Sequence, residues 1–163
     1  VSQGVSGTQS SALDLGTLSF PFSTTASVAY ATGTAAGQVD MVFTDTRTLS
    51  ASGTEDLDLA GSLTGAFGNT LTFARIKAIH VSAAAGNTNN VVVTRPASNG
   101  VPWLLAAGDG IALRPGAAMT WASGSADATG VAVTAGTGDL ITVTNSAGTT
   151  SVTYNVIILG CSA

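Results

Sequence analysis

Leu71-Thr-Phe-Ala-Arg-Ile-Lys-Ala-Ile-His-Val-Ser82 is the stretch on which the fold turns. Ala74, Ile76 and Ala78 alternate with Phe73, Arg75, Lys77 and Ile79, and a period of two is that of a β-strand, not of a helix. Apolar residues stand on both faces, as they do in a central strand between two layers.

Working outward, the same alternation recurs in short segments rich in β-branched residues and separated by Gly, Asn and Asp clusters. It predicts strands near 17–21, 26–31, 38–44, 46–51, 54–59, 71–82, 90–95, 110–114, 117–122, 129–134, 139–145 and 150–159. The last three, joined by turns at 135–138 and 145–148, read as a β-meander. Residues 58–68 hold three glycines and read as a structured loop. Short strands at eight-to-twelve-residue spacing, with no helix between them, predict an all-β protein, an antiparallel β-sandwich of jelly-roll type. No internal repeat of 20 to 50 residues is present, which counts against propellers and solenoids. Residues 1–16, rich in Ser and Gly, are expected as an extended N-terminal arm, and residues 17–163 as a single sandwich domain.

Charged residues make up 9% of the chain and hydrophobic ones 45%, whereas an ordinary soluble domain carries about 25% charge. Mean hydropathy is +0.41. A spanning helix needs about 20 consecutive apolar residues, and the densest apolar stretch, Val152 to Leu159, is short and interrupted by Thr153, Tyr154 and Asn155. Disorder would require low hydrophobicity and high net charge, but this chain is apolar and carries −4. What remains is a folded protein with a Ser/Thr/Gly/Ala surface, and Lys, Glu and Asp are the types depleted where surface is buried against partners. A subunit of a larger assembly is expected.

With a pI near 4.4 and Lys77 as the one lysine, no basic patch exists to neutralise several phosphates, so nucleic acid is not an expected partner. Nor is a membrane. Cys161 has no partner cysteine, so no intramolecular disulfide supports the fold. The N-terminus as given shows no charged n-region followed by an apolar h-region.

Candidate chemistry is sparse. His80 is the one histidine, and with Cys161 it would give a metal at most two ligands. Asp56 and Asp58 share one face of a predicted strand with Glu55 on the other. Such a pair suits a calcium ion or a glycosidase, but carboxylates at a strand edge also guard against edge pairing. No Walker, H-E-x-x-H or C-x-x-C motif occurs. The expectation is a non-enzymatic protein without metal or cofactor.

The residues singled out for an interface are Arg95 and Arg114, each followed by a proline at a strand end, together with Trp103 and Trp121. Arginine offers a rigid fork of donors to an acid on a neighbour, and a tryptophan in a strand serves as core, interface anchor or sugar-stacking platform.

Taken together, Asp45-Thr-Arg-Thr-Leu-Ser, Leu57-Asp-Leu-Ala-Gly-Ser-Leu-Thr, the 71–79 stretch, Gly130-Val-Ala-Val-Thr-Ala-Gly-Thr-Gly-Asp-Leu and Tyr154-Asn-Val-Ile-Ile-Leu-Gly resemble the small virion structural proteins of tailed bacteriophages, over about residues 40–160. Within that group the chain is most similar to capsid decoration, or cement, proteins. That resemblance implies a location on the outer surface of the head, a homotrimer, and a major capsid protein as partner, with synthesis in the host cytoplasm. It carries no functional residue over. Two rivals are a phage fibre or spike module that binds host-surface glycan through an exposed tryptophan, and a surface-layer or pilus-like subunit.

Overall fold

The computed structural model describes all 163 residues. It is all-β, with most strands paired antiparallel in several sheets.

Two strands come first, β1 (Ser2–Leu13) and β2 (Gly16–Ser27), and they pair with each other along their whole length. Two residue pairs, β3 (Ala31–Thr32) and β4 (Gln38–Val39), form a short parallel ladder leading into the body. There follow β5 (Met41–Leu49), β6 (Thr54–Asp58), β7 (Ala60–Thr64), β8 (Thr70–Thr72), β9 (Arg75–Ala83) and β10 (Val91–Thr94). The chain ends with β11 (Gly110–Leu113), β12 (Ala118–Ala122), β13 (Val131–Ala132), β14 (Leu140–Asn145) and β15 (Val152–Cys161).

The body is a sandwich. One sheet runs β12-β9-β15-β5, with β13 also on β9, and the other runs β11-β10-β14-β6. Alternation decides what each contributes to the space between them. Phe43 and Leu49 of β5, Ile79 and Val81 of β9, and Tyr154, Val156 and Ile158 of β15 are buried from one side. Leu57, Val91, Val93, Ile141 and Val143 meet them from the other, in one continuous core. Burying a Val, Leu, Ile or Phe side chain is worth about 1.5–3 kcal/mol, so this layer is the source of the body's stability.

The 71–82 stretch is central as expected, with β9 lying between β12 and β15. Its alternation is broken once. Leu159 pairs with Ala78 but Gly160 pairs with Ile76, which leaves Lys77 as the extra residue of a β-bulge. Gly160 is required there, because a β-carbon would stand 2.3 Å from the Arg75 carbonyl oxygen. The bulge turns Lys77 toward the 123–130 loop, where it is completely buried and its Nζ donates to the Asp127 carbonyl at 2.5 Å.

Four expectations are corrected. Residues 1–16 are expected as an extended arm of their own, whereas Ser2–Leu13 is a strand whose partner, Gly16–Ser27, lies beyond the expected boundary. The strands expected at 38–44 and 46–51 are mostly one, β5. The 58–68 loop contains β7, paired with β8. The last three strands are not a meander. β13 and β15 join the β9 sheet while β14 lies in the other, so both connections cross between layers.

Candidate functional site

The four residues expected at an interface lie in different surroundings. Trp103 is buried in the core at 8% exposure, with its indole N–H unpartnered. Trp121 is half-buried on β12, paired with Ile79 and packed against the core. Neither offers the open aromatic face that sugar stacking uses. Arg95 is half-buried, and its Nη1 donates to the carbonyls of Leu104 at 2.7 Å and Leu105 at 3.1 Å, so it holds its own chain's 96–109 loop. Arg114 is exposed and forms no ion pair within the chain.

The other candidates are occupied locally. His80 Nδ1 lies 2.8 Å from the Thr120 hydroxyl, on the outer face of its sheet, where it lines an open groove with Val1, Ser2 and Ile157. Asp56 accepts from Thr142 Oγ1 at 2.5 Å and Asp58 from the Ala60 N–H at 2.8 Å. No third carboxylate, histidine or cysteine joins that pair. Cys161 is buried far along the chain from His80, with Sγ 3.5 Å from the Gln38 carbonyl oxygen.

One charged cluster ties the two sheets. Arg47 Nη1 donates to Glu55 Oε2 at 2.5 Å, Arg47 Nε lies 3.1 Å from Asp45 Oδ2, and the buried Tyr154 hydroxyl donates to Glu55 Oε1 at 2.7 Å. Burial works to lower the Arg47 pKa, but the hydrogen bond and charge of Glu55 outweigh it and the net shift is upward. Tyr154 is pushed well above the usual tyrosine range by burial first and by Glu55 second. Arg47 is thereby held charged and Tyr154 neutral, the forms that donate to Glu55, and the three make a structural tie.

The feature that stands outside the body is the β1–β2 hairpin. Every residue of both strands is exposed except Gly7, which is half-buried, and the ring of Phe22 lies across it. Each strand has 12 residues, so the hairpin is about 40 Å long at ~3.4 Å per residue. Gln3 ties its root to the sandwich, donating from Nε2 to the Thr120 carbonyl at 2.7 Å.

Register sorts the hairpin's residues by face. Val5 lies opposite Thr24, Gly7 opposite Phe22, Gln9 opposite Phe20, Ser11 opposite Leu18 and Leu13 opposite Gly16. All five large apolar side chains therefore share one face. The other carries Ser, Thr, Gly, Ala and Pro21 alone. Val5, Leu13, Leu18 and Phe20 are 61–66% exposed and Phe22 47%. The signal was present in the alternation of Leu18-Ser-Phe-Pro-Phe22 and in Val5 and Leu13. It was hidden by the turn, because Asp14-Leu15 lacks the Asn-Gly pair that marks two-residue hairpins and neither residue has a positive φ.

Elsewhere Phe67 and Leu105 stand fully exposed on loops, and no helix is long and apolar enough to cross a membrane. Comparison of the chain with protein-family models, with curated proteins and with solved structures returns no match.

Proposed function

We propose that this chain is a non-enzymatic structural subunit of a phage-type virion: a decoration, or cement, protein that sits on the outer surface of the head and bridges neighbouring major capsid subunits. The observation that carries the reading is the hairpin, a long projection whose apolar side chains are left in water by a body that is already complete. Exposed apolar faces of this size are characteristic of protein–protein contact surfaces, and binding across a junction adds buried area that dissociation must undo. The sparse charge of the surface and the resemblance over residues 40–160 point the same way.

The strand order supports a jelly-roll reading of the sandwich. Numbered among themselves, the eight principal strands run 6-3-8-1 in one sheet and 5-4-7-2 in the other, the alternation that two nested Greek keys produce. The rival glycan-binding fibre module loses its platform, since Trp103 is 8% exposed and Trp121 packs against the core.

Mixing the purified protein with phage heads that lack a decoration protein tests the reading. Saturable coating of the heads, with a rise in their melting temperature, is the expected result. Heads that neither bind the protein nor gain stability would refute it.

A further inference from the structure

We infer that the apolar face of the β1–β2 hairpin is a self-association surface, covered by the same face of a second copy of this chain. This deepens the assembly reading and rests on it only in expecting self-association.

Isolation is the first argument. A two-stranded hairpin alone in water is marginal at best and needs a third strand or a packed face for stability. This one is fully paired over twelve residue positions per strand and has no core beneath it.

The sorting of side chains supplies the second. Five large apolar residues on one face and small or hydroxyl residues on the other form the pattern of a sheet with one side buried and one in solvent. With Leu15 at the turn, fully exposed, six such side chains at about 100 Å² each offer on the order of 600 Å². A stable interface uses about 800 Å² per partner, so the face with its backbone and polar margins is of the right size.

Charge identifies the occupant. Asp14, in the turn, is the one charged side chain among residues 1–39. Two identical faces therefore meet without like-charge repulsion along the shaft, while an acidic, basic or phosphate-bearing partner finds nothing to pair with. Packed face to face at the ~10 Å spacing of stacked sheets, Leu18, Phe20 and Phe22 of one copy lie against those of the other, and the Ser/Thr faces stay in water.

The test uses the full chain without heads. The native mass is expected at twice 15.9 kDa, and the double variant Leu18→Ser/Phe20→Ser, altered only at exposed positions, is expected to fall to the monomer mass with the thermal transition of the body retained. Ser11→Cys, on the apolar face, is expected to give a disulfide-linked dimer under mild oxidation, and Ser10→Cys, on the opposite face, none. A monomeric wild type, an unchanged mass in the double variant, or equal cross-linking of both cysteines overturns the inference. So does a monomer whose hairpin binds neutral phosphatidylcholine vesicles. Head binding is scored separately: a monomer that still coats heads removes the hairpin interface alone, and an oligomer that ignores heads removes the capsid reading alone.

Discussion

Tyr154 and Glu55 meet across 2.7 Å although they belong to opposite sheets, Tyr154 on β15 and Glu55 on β6. Arg47, the register partner of Tyr154 on β5, completes the tie through the other Glu55 oxygen. The bond is made by the neutral phenol, and burial together with Glu55 holds the folded-state pKa above its unfolded value near 10. A raised folded pKa gives stability that is fully present below pH 10 and lost as pH climbs above it, because the unfolded chain releases the proton first. Tyr154→Phe is expected to cost about 1–2 kcal/mol at pH 7 and to flatten the loss of stability between pH 10 and 11. Urea unfolding at stepped pH checks it, and an unchanged alkaline slope would refute it.

Arg95 and Arg114 looked equivalent as Arg-Pro pairs, and their surroundings separate them. Arg95→Ala removes both bonds that anchor the carbonyls of Leu104 and Leu105, so it is expected to lower stability by about 1–3 kcal/mol. Arg114 is exposed and forms no ion pair within the chain, and Arg114→Glu is expected to leave the melting temperature within about 2 °C. If Arg114 pairs with an acid of a neighbouring subunit on the head, as its place among the interface residues of the sequence suggests, the charge reversal weakens head binding at least about tenfold. Unaltered binding would remove Arg114 from the interface.

Strand positions were legible because burial on one side of a sheet imposes a period of two on the residues that form it, and β6, β10, β11, β12 and β14 fall within a residue or two of where alternation put them. Sheet membership was not legible. Alternation says which residues face inward but not which layer a strand joins, so β14 and β15 read as hairpin neighbours although they lie on opposite sides of the core. Asp45 made β5 look like two strands, because it interrupts the core-facing side that Phe43 and Leu49 share, but in an edge strand it stays partly exposed there and pairs with Arg47. The burial of Lys77 depends on a one-residue register shift against β15, a relationship between distant segments with no trace in local pattern. Of the candidate site, the hydrophobic alternation of residues 18–22 was visible, but its pairing with residues 5–13 was not.

Asn145 closes one end of the sandwich. At 2% exposure its Nδ2 donates to the carbonyls of Ser50 at 2.9 Å and Thr150 at 2.7 Å, while its Oδ1 accepts from the buried Asn89 at 3.0 Å. Three loops from both sheets thus share one amide pair. Replacement by Ala removes these three hydrogen bonds from a water-poor site, each worth about 1 kcal/mol, while Asn89 and the Ser50 and Thr150 carbonyls each keep one other partner. Asn145→Ala is expected to lose about 3 kcal/mol or more, while the surface change Ser146→Ala, which removes a partner of the exposed Asn90 N–H, stays within about 1 kcal/mol. Denaturation of both variants decides, and equal losses would show that the amide pair is not the closing element.

Asp127 organises the loop that covers Lys77. Its Oδ1 accepts from the N–H groups of Gly130 at 3.0 Å and Thr129 at 2.8 Å and from the Thr129 hydroxyl at 2.9 Å. The Gly130 and Thr129 bonds, aided by the charge of Lys77, hold the carboxyl below its ordinary value of 3.8. A depressed folded pKa gives stability that is present above the unfolded value and lost as pH falls through the folded one. The loop and its hold on Lys77 are therefore expected to weaken below pH 4. In Asp127→Asn the side chain keeps an oxygen acceptor but cannot titrate, so the variant is expected to be less stable than the wild type at pH 7, with the gap closing as pH falls toward 2. Thermal melts of both proteins across that range measure it. A gap that stays constant would mean the carboxylate charge contributes nothing, and that shape alone holds the loop over Lys77.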